Sequence, residues 1–137
     1  MIRVPKNTQE LLTLAIDTGI YAASGFLAAK FIQVPSSFLR SPVIAATTAA
    51  IIRLADYAIG APFGEYLVRE GYINRDVKII PRAITDGFTA LSVPILTGKT
   101  IQFVDGISLY TGAAVTIPIA WVGREIVAVF HPKIKQI

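Results

Sequence analysis

A chain of 137 residues has room for one compact domain and not comfortably for two. It is 53% hydrophobic and 16% charged, with a mean hydropathy of +0.59, too little charge to cover a soluble domain of this size. Thirteen Lys/Arg against nine Asp/Glu give +4, but they come singly, so nucleic-acid binding is unsupported; zero cysteines exclude thiolate chemistry, and His131, the one histidine, excludes a His-based metal cluster within the chain.

The N-terminal arm, "MIRVPKNTQE", carries charge but no cleavable apolar core, so no secretory signal is expected. The first apolar run covers residues 9–31 and contains "AIDTG" at 15–19. An Asp-Thr-Gly turn serves aspartic proteases, where two facing carboxylates share a proton and activate water. Each such turn hangs from β-strands, whereas this text is Ala-rich and lacks period-two alternation. "WVGREIV" at 121–127 only superficially echoes the second element of a retroviral-type protease, and Glu125 is not the residue expected there. Asp17 therefore reads as an acidic group near a helix start that anchors the helix, and Ala15, Gly19 and Ala23 as a ladder of small helix-packing residues.

The second run, 42–61, is opened by Pro42 and closed by Pro62. Ala45 with Ala49, Ala46 with Ala50, and Gly60 with Gly64 continue the small-residue pattern, as suits close helix approach. Arg53 and Asp56 stand three apart, the spacing of a pair on one helix face. The connection 63–80, "FGEYLVREGYINRDVKII", is the most charged stretch; it suits a short amphipathic surface helix or an ordinary solvated loop.

The third run, 81–96, holds Asp86 and an internal Pro94 and is roughly 24 Å long as a helix. "TGKT" at 97–100 has the tail of a phosphate-binding loop but Val93 where the motif needs glycine, so a polar turn with Gly98 as a helix cap is expected instead. The fourth run, 106–130, is uncharged from 106 to 123, contains Pro118 and carries Arg124 and Glu125 near its end, which suit snorkelling at an interface. At about 1.5 Å per residue the first, second and fourth runs reach across a hydrocarbon core of about 30 Å.

Shifting the chain by 68 lays "AIDTG" on "AITDG" at 83–87 and also matches Ala45, Ala46, Thr48 and Ile51 with Ala113, Ala114, Thr116 and Ile119. Asp17 and Asp86 then occupy related places in two halves, 1–68 and 69–137, either as a cation or proton site or as groups capping helices and pairing with basic neighbours such as Arg82.

The expected fold is all-α: an integral membrane protein of about four transmembrane helices forming one domain, with a duplicated helical hairpin as a weaker refinement. With four spans, eight basic residues fall on the side of the termini against three on the other, so both termini are expected on the cytoplasm-like side. The expected function is non-enzymatic: a small structural or assembly subunit of a larger membrane complex or membrane-containing virion. Its partners would be the lipid bilayer and other membrane subunits or copies of itself, with no cofactor. The alternatives are an oligomeric cation or proton transporter using Asp17, Asp86 or the Arg53–Asp56 pair, and a soluble helical bundle that binds a partner.

Overall fold

The structure is a computed structural model that describes residues 2–31, 42–96 and 103–136; the "TGKT" turn falls outside them. Among the described residues every regular element is helical. Four helices form the body: α1 (Thr8–Phe31), α2 (Pro42–Arg69), α3 (Ile79–Leu96) and α4 (Phe103–Ala128). Short 3₁₀ turns at Arg75–Val77 and Pro132–Gln136 complete the fold.

Local chemistry explains the boundaries. Asn7 Oδ1 accepts the Glu10 N–H at 2.8 Å, which caps α1 three residues ahead of an acidic side chain. α2 ends in a Schellman turn: Gly71 adopts φ +79°, its N–H reaches Val68 O, and Tyr72 N–H reaches Leu67 O. Only glycine takes that φ without a steric penalty.

α2 does not stop at Pro62, as the sequence suggested, but runs on to Arg69. The reason lies in a π turn at Asp56–Gly60, where Ala61 N–H bonds Asp56 O, five residues back. Proline lacks the N–H that would bond the carbonyl four residues earlier, that of Ala58. The N-terminal arm supplies the missing donor: Arg3 N–H lies 2.8 Å from Ala58 O. The first part of the charged connection is therefore helix, and only the stretch around Gly71 turns the chain.

Side-chain pairs fix the topology. Glu10 meets Tyr57 and Asp17 meets Arg53, so α1 and α2 are antiparallel. Thr13 meets His131 and Asp17 meets Arg124, so α1 and α4 are antiparallel too. Asp56 meets Arg82 near the start of α3, which reverses direction again. The helices stand in a row α4–α1–α2–α3, with α1 against both α2 and α4 and a lighter touch between α3 and α4. Both terminal segments pack at the same end of this row.

The interior is mixed, with Leu14, Ala28, Ala49, Tyr57, Ala120 and Ile134 buried beside polar groups. Buried groups include Asp17, Arg53, Asp56, Thr13, Ser24 and Thr48, while Leu27, Phe31, Phe88, Trp121, Val129 and Phe130 point outward. α1 and α2 are long and apolar enough to cross a membrane, and only 33% and 28% of their most apolar stretches are buried.

Candidate functional site: a chain of charges through the helix row

The site is built from one aspartate outward. Asp17 lies in the third turn of α1 and is 0% exposed, so a bare carboxylate there would be very costly. Its Oδ2 accepts Arg53 Nε of α2 at 2.5 Å. Its Oδ1 lies 3.0 Å from Arg124 Nε of α4, a charge contact whose N–H is not aligned for a hydrogen bond. Arg124 also donates from Nη2 to Ile134 O at 2.8 Å, which folds the C-terminal turn over the end of the row.

Arg53 is 5% exposed and carries the chain onward. Its Nη1 lies 3.4 Å from Asp56 Oδ2, and its guanidinium carbon is 5.7 Å from the Tyr21 ring centre, within cation–π range. Asp56 then receives Arg82 of α3 in a fork, Nε to Oδ1 at 3.0 Å and Nη2 to Oδ2 at 2.6 Å. The order Arg124–Asp17–Arg53–Asp56–Arg82 alternates in sign and crosses the row from α4 to α3. One link of this charge chain crosses each helix interface in the row.

Asp86, one turn beyond Arg82, completes three aspartates against three arginines, so the formal charges cancel. Its Oδ1 is buried and takes part in no hydrogen bond.

Of the residues singled out in the sequence, the structure joins Asp17, Arg53 and Asp56 directly and leaves Asp86 beside them. Asp17 is not a cap, since that role falls to Asn7. Arg124 was expected to snorkel outward; it turns inward because Asp17 needs its charge, while its neighbour Glu125 stays exposed and pairs with Lys135 at 2.8 Å. The linking roles of Arg82 and Arg124 join residues distant in sequence, and no local spacing reports that.

The packing residues divide in two. Ala45 and Ala49 meet Gly25, where an added Cβ would lie 2.8 Å from Ala45 O and 3.0 Å from Ala49 Cβ. Gly60 backs onto Asp56 and Thr85, and Gly64 onto Lys78 and Arg82. The ladder Ala15, Gly19 and Ala23, by contrast, is exposed, and a Cβ on Gly19 would meet nothing within 4 Å. Burying Asp17 sets the rotation of α1, and residues two positions away lie about 200° round the helix. The ladder is therefore turned outward, and Gly25 takes the close-packing role on α1.

Among the described residues no group of acidic or histidine side chains is placed to hold a metal. Comparison with family models, with curated proteins and with solved structures finds no match.

Proposed function

We propose that this chain is a non-enzymatic, multi-pass membrane protein, a small structural subunit of a larger membrane assembly. The observation that carries this reading is the mixed interior under an apolar exterior: ion pairs and hydroxyls are buried beside Leu14, Tyr57 and Ile134, while many phenylalanine, leucine, isoleucine and valine side chains and Trp121 are exposed. In hydrocarbon an outward apolar side chain costs nothing, and a charge is tolerated where it faces another charge. Asp17, Arg53 and Asp56 are each held by side chains of this same protein. Such a closed network suits holding four helices together rather than reaction with a substrate.

The placement of both terminal segments at one end supports a topology with both termini on the basic, cytoplasm-like side. Two experiments test the reading in sequence. Alkaline carbonate should leave the protein in the membrane pellet, and release to the supernatant would favour the soluble bundle instead. Mild-detergent purification should then yield a defined complex with other membrane subunits or copies of itself; a lone monomer would count against a subunit.

A second reading, transport of a proton or cation, draws on Asp86 Oδ1, a buried carboxylate oxygen that takes part in no hydrogen bond. Flux into proteoliposomes that is abolished by Asp86→Asn would favour transport over a structural role.

A further inference from the structure

Arg3, in the N-terminal arm, makes its contacts at the π turn of α2 and at Glu10 of α1. Arg3 donates its backbone N–H to Ala58 O at 2.8 Å, the carbonyl that Pro62 leaves free. The Arg3 guanidinium carbon stands 4.4 Å from the centre of the Tyr57 ring. Arg3 Nη2 lies 3.5 Å from Glu10 Oε1, and the same carboxylate oxygen accepts the Tyr57 hydroxyl. The Ala58 backbone and the Tyr57 ring, both inside Asp56–Gly60, thus grip Arg3 together with the Glu10 carboxylate of α1.

The turn so gripped also starts with Asp56, the member of the charge chain that holds α3 through Arg82. A π turn inserts one residue relative to an α-helix, which rotates everything beyond it by about 100°. That rotation lets Arg53 face Asp17 on α1 while Gly60 and Gly64 face α3. In an unbroken α-helix, residues 53 and 60 would lie on nearly the same face. A Cβ on Gly60 would stand 2.9 Å from Asp56 Oδ1, so the carboxylate lies folded against its own turn.

We propose that the N-terminal arm is a latch that sets the register of α2. With the arm docked, the π turn is held and Asp56 meets Arg82; with the arm withdrawn, Ala58 O loses its donor, the turn relaxes, and the contact between Asp56 and α3 is released. A process that removes or captures residues 2–5 is thereby transmitted to the charge chain inside the bundle. The latch does not depend on whether the bundle serves as a membrane subunit.

The chain has no cysteine, so spin labels can be placed at will. One pair goes on the exposed Ile59 in the π turn and Ile84 on α3; a control pair goes on the exposed Leu27 and Val43 at the other end of α1 and α2. Arg3→Pro removes both the N–H and the guanidinium. It is expected to add a second population to the 59–84 distance distribution and to leave the 27–43 distribution unchanged. An unchanged 59–84 distribution overturns the latch. So does a parallel change in both pairs, because the arm would then merely support the whole fold. Should Arg3→Pro yield no folded protein, Pro62→Ala decides: it gives α2 its own donor for Ala58 O, displaces the arm, and is expected to shift the 59–84 pair alone.

Discussion

The two ends of the α1–α2 interface are held by opposite physics. At one end Asp17 and Arg53 meet as buried charges, with Arg124 and Arg82 extending the contact to the outer helices. Toward the other end Gly25 lies against Ala45 and Ala49, backbone nearly touching backbone. The charged end specifies partners, since each arginine must find an acid. The small-residue end specifies distance, since any added atom pushes the helices apart. The same pair of helices is thus given identity at one end and spacing at the other.

Breaking the charged end should cost most. Asp17→Ala leaves Arg53 without its strongest partner and Arg124 without its acid, and loss of one member of a buried pair costs about 3–5 kcal/mol. Equilibrium unfolding in mixed detergent should show it; a loss comparable to that of a surface ion pair would mean that water or lipid headgroups already solvate the site.

At the small-residue end, Gly25→Ala forces a Cβ to within 2.8 Å of Ala45 O, and overpacking of this kind costs roughly 1–3 kcal/mol. The same assay checks it, and an unchanged midpoint would show that the helices are free to separate there. Gly60→Ala presses on Asp56 Oδ1, an atom that can move only by loosening Arg82. Its cost is expected near the lower limit of that range, about 1 kcal/mol. The double variant with Arg82→Ala should cost less than the sum of its parts, and full additivity would separate Gly60 from the charge chain.

The smallest effect has the opposite sign. Gly19→Ala meets open space and gains helix propensity, so it should stabilise the isolated chain by roughly 0.5–1 kcal/mol. A loss instead would point to a partner helix seated on the outward face of Ala15, Gly19 and Ala23.

The contrast also explains which parts were legible in the sequence. Helices show as apolar runs bounded by proline, so four appear near their expected places. Arg53 and Asp56 are three residues apart on one helix, and their pairing is a local matter. Asp17 stands out as a charge in apolar text, yet nothing near it names Arg53 or Arg124, because those partners arrive by tertiary packing. Gly19 and Gly25 both lie in the first apolar run, and which of them faces inward depends on the rotation that Asp17 imposes. Pro62 read as a stop because the donor that replaces its missing N–H comes from Arg3, far back in the chain. The cap at Asn7, by contrast, rests on a local spacing, with Glu10 three residues on.

The position of Arg124 has a consequence for the order of events during synthesis. The ribosome delivers α1 first, and Asp17 leaves it before either arginine that neutralises it exists. Arg53 follows with α2, but the second oxygen of Asp17 waits until α4 has been made. A polypeptide cut short within α4 would present a bundle of three helices with a half-satisfied buried acid at its centre. Completion of α4 is thus written into the chemistry of α1, where a product that lacks it carries its own mark.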